Sequence, residues 1–235
     1  MKINKQNNSI WLLVIALFIG ACLRFYSLGA FPVSLYWDET AIGYDAYALL
    51  KTGRDMHGNS GFQAIFPSYG DYKLPVYIWL AMVSEFFFGP TPFAVRLPSA
   101  LAGLGFIIIC FGISYTLFKR KALAAYCSVI ASLLPVDILF SRTGFEGHIA
   151  LVFVGLTLWL WLASQKKLSL LFVSSITGAL AVYSYFSARI VIPLFAGLTF
   201  LFLWNSTTRK WKVSAIISLA IWMGLLIPIF RSPFY

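Results

Sequence analysis

Pro75-Val-Tyr-Ile-Trp-Leu-Ala-Met-Val-Ser-Glu85-Phe-Phe-Phe-Gly89 is the stretch on which the architecture turns. It is apolar enough for a membrane, yet it has only 15 residues, opens on proline and carries a glutamate near its end. A crossing helix needs about 20 apolar residues to span a ~30 Å hydrocarbon layer. The stretch therefore suits an interfacial or re-entrant helix better than a crossing. The choice matters everywhere downstream, because every later loop changes sides if this segment crosses.

Seven further apolar segments surround it, at 10–29, 95–118, 122–140, 149–164, 168–187, 190–204 and 213–230. Basic residues collect on the cytoplasmic side of membrane proteins, which gives a way to choose. If 75–89 does not cross, ten bases share the N-terminal side: Lys2, Lys5, Lys119, Arg120, Lys121, Lys166, Lys167, Arg209, Lys210 and Lys212. Eight then lie opposite; if it crosses, the split becomes six against twelve. The first arrangement is the expected one. It gives about seven transmembrane helices, an inside N-terminus, an outside C-terminus and an outer segment of about 65 residues between the first two spans. All eight acids (Asp38, Glu39, Asp45, Asp55, Asp71, Glu85, Asp137, Glu146) then fall in or near the outer face. The net charge of +10 thus sits inside, where anionic lipid accounts for it and nucleic acid is unnecessary.

Composition agrees with an all-α polytopic membrane protein. The chain is 60% hydrophobic and 11% charged, with mean hydropathy +0.83, whereas about a quarter of a soluble domain is charged. The residue alternation of a membrane β-barrel is absent. Residues 1–235 read as one membrane module, with a first outer loop over 30–74 containing a juxtamembrane helix. Cys22, Cys110 and Cys127 lie inside apolar runs and read as buried thiols rather than a disulfide framework. His57 and His148 are too few and too far apart for a metal cluster. Ile19-Gly20-Ala21-Cys22 looks like a lipoprotein cleavage box, but apolar character resumes after Arg24, so the first helix reads as uncleaved.

The outer loop holds the chemistry-bearing residues. Ala41, Ile42, Tyr44, Ala48 and Leu49 recur at helical spacing and Gly53 follows as a stop, predicting a short helix over 39–51 with Asp38 at its start. Asp38 is then either an N-cap or, beside Glu39 at the membrane edge, a reactive carboxylate. Lys73, Arg96 and Arg24 are either cations snorkelling to the interface or donors for a phosphate. Arg142 and Glu146 stand four apart and can pair with each other, or Glu146 can return an acid to the face that holds Asp38. Trp159 and Trp161 read as packing material.

Taken in order, Arg24-Phe-Tyr-Ser-Leu-Gly29, Pro32, Trp37-Asp38-Glu39, Thr52-Gly53-Arg-Asp55, Lys73-Leu-Pro75, Phe88-Gly89, Ala94-Val-Arg96-Leu-Pro98-Ser-Ala100 and Ser141-Arg142 resemble the GT-C membrane glycosyltransferases. They resemble in particular the protein-mannosyltransferase and aminoarabinose-transferase-like branch. The resemblance implies an inverting hexosyl or pentosyl transferase. It would take sugar from a polyprenyl-phosphate donor on the outer leaflet and pass it to a hydroxyl of a protein, glycolipid or polysaccharide. It assigns catalysis to Asp38 with Glu39 as neighbour, the donor phosphate to Lys73, and a second acid to Glu146, although many relatives carry an Asp after the Ser-Arg. Arg96 and Arg142 are the further phosphate candidates. Relatives continue with more helices and an outer-face domain, so the chain corresponds to their N-terminal membrane module.

No metal site and no cofactor is read from the sequence, although a carboxylate–phosphate site can host a divalent cation. Two other functions compete. A transporter or flippase places ionisable residues at mid-membrane, whereas these spans are nearly free of charge. A catalytically inactive module that binds lipid or a partner is the other. The expected location is the cell membrane, with the active loop on the outer face.

Overall fold

A computed structural model describes residues 5–232. Helices dominate: α1 (Lys5–Phe25), α2 (Trp37–Thr52), α3 (Pro75–Phe88), α4 (Pro92–Phe118), α5 (Lys121–Leu133), α6 (Pro135–Ser141), α7 (Glu146–Ala163), α8 (Ser169–Val182), α9 (Ala188–Leu203), α10 (Arg209–Leu225) and α11 (Ile227–Phe230). A two-stranded antiparallel ribbon, β1 (Phe66–Pro67) and β2 (Tyr72–Lys73), pairs Phe66 with Lys73.

Punctuation residues set the boundaries. Pro75 and Pro92 occupy first-turn positions of α3 and α4, where a missing N–H costs nothing. Thr91 caps α4 by accepting from Ala94 N at 3.2 Å. Gly53 ends α2 in the left-handed conformation at φ 71°, its N–H closing on Leu49 O at 2.9 Å. The short outer helix expected over 39–51 is thus present, a little longer than the spacing predicted.

Three helices are long and apolar enough to cross a membrane: Pro92–Phe118, Glu146–Ala163 and Arg209–Phe230, the last including the break before α11. Lys121–Leu133 and Pro135–Ser141 would add a fourth span, but they are bent by 59°. The single unbroken helix expected over 122–140 is therefore not what forms. Pro135 cannot donate into the preceding turn, and Leu134 before it takes an extended ψ of 112°. The remaining apolar helices, Ser9–Phe25, Pro75–Phe88, Ser169–Val182 and Ala188–Leu203, are shorter.

The bundle centres on α4 and α7. Trp159 of α7 lies flat against Gly112 of α4, where a Cβ would collide with the indole, and its Nε1 donates to Thr116 Oγ1 at 3.1 Å. α3 is wedged between α2 and α4, with Tyr77 fully buried and donating to Val95 O at 3.0 Å. The cysteines are free, and Cys22 is exposed on α1 rather than buried as expected.

Candidate functional site

A cavity of about 360 Å³ opens where four connections meet. The start of α2 supplies Asp38, β2 and its turn supply Asp71 and Lys73, the start of α7 supplies Glu146, and the α8–α9 link supplies Tyr185 and Ser187. The ribbon explains how Lys73 gets there. Gly70 takes φ 76° and Ser68 N donates to Asp71 O at 2.8 Å, folding the chain back on β1. Leu74, extended ahead of Pro75, then fixes Lys73 against the mouth of α3.

Lys73 is 6% exposed, and its Nζ meets Asp38 Oδ1 at 2.6 Å and Asp71 Oδ2 at 3.1 Å. Burial alone would lower its pKa. The Asp38 hydrogen bond, the field of Glu146 and the Asp71 bond outweigh that and hold it above the usual lysine value, so it stays an ammonium. Burial is the largest single influence on Asp71 and would raise its pKa, but bonds from Tyr72 N and Lys73, with the Lys73 charge, together leave it below the usual carboxylate range. Glu146 begins α7 and is 7% exposed, with Oε1 buried and without a hydrogen-bond partner. The site therefore gathers three carboxyl groups around one cation.

Asp38 is not the N-cap of α2. Tyr36 holds that position, and Glu39 reaches back to Tyr36 N at 2.9 Å. Glu39 and Arg96 lie outside the cavity and pair with each other. The carboxylate takes Arg96 Nε at 2.8 Å and Nη2 at 3.2 Å, together with Gly144 N at 2.7 Å. Arg96, fully buried, gives its other hydrogen bonds to Leu28 O, Pro32 O and Ser34 O. Its guanidinium is thus engaged by protein groups and does not line this cavity. Arg142 ties α6 to the end of α1 through Leu23 O at 2.9 Å and to the outer loop through Phe31 O at 3.0 Å, and it makes no ion pair with Glu146. A Cβ on Gly144 would stand 3.2 Å from Glu39 Cγ and from Val95 Cγ1, so the link runs close to both before Glu146 reaches the cavity two residues later.

A second buried network went unread in the sequence. Arg24, fully buried, meets Asp137 Oδ2 at 2.5 Å, and Asp137 Oδ1 lies 3.1 Å from His148 Nε2, whose Nδ1 is 2.9 Å from Ser99 Oγ. The spacing suits a serine–histidine–aspartate relay. Ser99, however, is fully buried and bonds Phe140 O at 2.9 Å, and Arg24 holds the aspartate, so the network clamps α1, α4, α6 and α7 together. An arginine and an aspartate in separate apolar segments were the available sign, since such charges in a membrane protein pair with each other. Gly103 of α4 makes the room, because a Cβ there would stand 2.5 Å from Arg24 Nε. Among the described residues no three His, Cys, Asp or Glu side chains converge to hold a metal ion.

Asp45 on α2 offers a measurable consequence of burial. It is fully buried, with Oδ1 accepting from Met56 N at 2.9 Å and Oδ2 unpartnered. Burial raises its pKa from 3.8 to about 6 despite the Met56 bond. Between those values the folded chain holds a proton that the unfolded chain has released, so this group's contribution falls as pH rises and stays unfavourable above 6. Asp45→Asn keeps an acceptor for Met56 and should raise the melting temperature at pH 7.5 but not at pH 3.5. Equal shifts at both pH values would mean the charge is not what matters.

The fold defines the class as far as a helical protein with apolar helices of membrane-crossing length. Residues 72–231 match the family described as dolichyl-phosphate-mannose-protein mannosyltransferase, and the chain belongs to that family. The resemblance carried by the motifs thus holds at the level of the family. The chain is 26% identical over 227 residues to the "Putative mannosyltransferase YkcB" of Bacillus subtilis (strain 168), covering 94% of this chain and 30% of that protein. It is 27% identical over 220 residues to the "Putative mannosyltransferase YycA" of the same organism, covering 91% and 30%. The chain therefore spans about 30% of the length of these curated relatives.

Proposed function

We propose that this chain forms the donor-side catalytic module of an inverting glycosyltransferase. It would move a sugar from a polyprenyl-phosphate to an acceptor hydroxyl of a protein, glycolipid or polysaccharide at the outer membrane face. The observation that carries the proposal is the cluster of Asp38, Asp71, Lys73 and Glu146 around one cavity. Beside it lies a largely apolar cavity of about 450 Å³ that shares Phe145, Tyr185 and Ser187 with the first. A charged chamber beside an apolar one suits a ligand with a phosphate at one end and a prenyl chain at the other. The orientation that goes with this is seven crossings, with the N-terminus inside and the cell membrane as the location.

The chemistry follows from the pairing. Without donor, Lys73 Nζ is bonded to Asp38 Oδ1 at 2.6 Å, so that oxygen is already engaged. A donor phosphate entering the cavity offers Lys73 a more highly charged acceptor, and the ammonium turns to it. Asp38 is thereby released to take the proton of the acceptor hydroxyl as that oxygen attacks the anomeric carbon. Lys73 stabilises the charge gathering on the departing phosphate. Attack opposite the leaving group inverts the carbon and needs no covalent enzyme intermediate. Glu146 supplies the second acid, within the field of Lys73.

The lysine is where this is tested. Lys73→Ala should weaken binding of a polyprenyl-phosphate sugar in nanodiscs by roughly tenfold or more, the scale of one lost charge-assisted bond of about 1.5–3 kcal/mol. Lys73→Arg should recover part of it, because a cation remains while its geometry changes. Equal affinity of Lys73→Ala and wild type would leave Lys73 as a structural partner of Asp38 and Asp71.

A further inference from the structure

The far end of the bundle carries a different kind of site. α7 separates Glu146 from Lys166 by its full 18 residues, roughly 27 Å of helix rise. There the ends of α4, α7 and α9 enclose a cavity of about 600 Å³. Its apolar lining includes Leu117, Leu162 and Phe202, and its polar lining includes Lys119, Lys166 and Ser206. Lys119 and Lys166 are exposed, so their ammonium groups reach solvent at this crevice. Lys119 ends α4 in the left-handed conformation at φ 55° and bonds Thr116 O, which sets a cation over a helix C-terminus.

The surroundings reinforce one sign of charge. Arg120 and Lys121 follow Lys119, Lys167 follows Lys166, and Arg209, Lys210 and Lys212 open α10. Trp211 Nε1 donates to Ser164 Oγ at 2.8 Å, locking the start of α10 to the end of α7. None of the eight acids lies on these helix ends. An apolar crevice between helices with an unopposed cationic mouth is complementary to one kind of membrane component.

We propose that this cavity binds an anionic phospholipid in the leaflet opposite the Asp38–Lys73 chamber. The lipid phosphate lies between Lys119 and Lys166, and an acyl chain runs along Leu117 and Phe202. The site is independent of the proposed sugar transfer, since it shares no residue with that chamber.

The test is native mass spectrometry of the purified chain released from micelles containing equal amounts of phosphatidylglycerol and phosphatidylcholine of matched chain length. Wild type should retain phosphatidylglycerol in preference. Lys119→Asn with Lys166→Gln should cut that retention by roughly tenfold or more, given the attraction of each near-surface lysine for anionic lipid. Asn is chosen because it tolerates the left-handed backbone. Lys166→Gln alone, on an exposed turn, should lower retention without touching a helix cap. Arg209→Gln with Lys210→Gln, which changes the same end by the same charge outside the cavity, should leave it nearly intact. Equal retention of the two lipids, or equal loss in the Arg209/Lys210 pair, would overturn the site in favour of diffuse surface charge. Displacement of the lipid by millimolar inorganic phosphate would overturn it in favour of a small-anion site.

Discussion

Asp38→Asn is expected to abolish most sugar transfer, by at least the roughly hundredfold lower bound for a lost general base, while leaving the fold and donor binding almost untouched. The structure sharpens this expectation. Asp38 sits within the first turn of α2 without capping it, so no helix boundary depends on its carboxylate. Its side chain is 28% exposed and its partner Lys73 keeps Asp71, so removing one charge leaves no buried cation alone. Partly exposed ion pairs contribute about 0–1 kcal/mol. Asn also retains an oxygen that can accept from Lys73 Nζ, so the geometry survives while the basicity goes. The comparison requires transfer and melting temperature from the same preparation, in this chain or in a longer polypeptide carrying it. Near wild-type transfer would move the base to Glu146, whose buried Oε1 has no hydrogen-bond partner. Glu146→Gln is then the next variant to measure.

The sequence carried the positions of the apolar helices and named some of the residues that line the cavity, and what it left out has a physical cause. Runs of apolar residues and the prolines at 75, 92 and 135 write helix positions locally, because each acts within one turn of chain. The meeting of Asp38, Lys73 and Glu146 was legible only through motif order, since those residues lie on three separate elements. What charge type could not reveal was which cations are already engaged. Arg24, Arg96 and Lys73 all flank apolar segments and look alike in sequence. Arg24 and Arg96 are fully buried on carboxylates and carbonyls, and only Lys73 faces a cavity. The break at Leu134–Pro135 was written in the sequence and outweighed there by the continuity of the apolar run. Asp71, Tyr185 and Ser187 reach the cavity through turns whose paths depend on packing, which has no local code.

Glu39 and Arg96 should prove the pair on which folding depends, although one is the immediate neighbour of the proposed base. Glu39 is 3% exposed and accepts from Arg96, Tyr36 N and Gly144 N, so it joins α2, α4 and the α6–α7 link. Glu39→Ala leaves the Arg96 guanidinium buried without its carboxylate, a change that costs about 3–5 kcal/mol. The variant should melt far below wild type, with transfer lost because Gly144 no longer sets Glu146 in place. Arg96→Lys should not substitute, since one ammonium cannot reproduce the fork that serves Glu39 and three carbonyls. Replacing both partners with apolar residues, Glu39→Leu with Arg96→Met, should be milder than the sum of the singles, because no orphaned charge remains. Melting of these three variants, and of Glu39→Leu and Arg96→Met each alone, in one detergent, followed by thiol exposure of the free cysteines, measures this directly. If Glu39→Ala melts like wild type yet transfers no sugar, Glu39 acts on substrate instead, and the division of labour between the two adjacent acids is reversed.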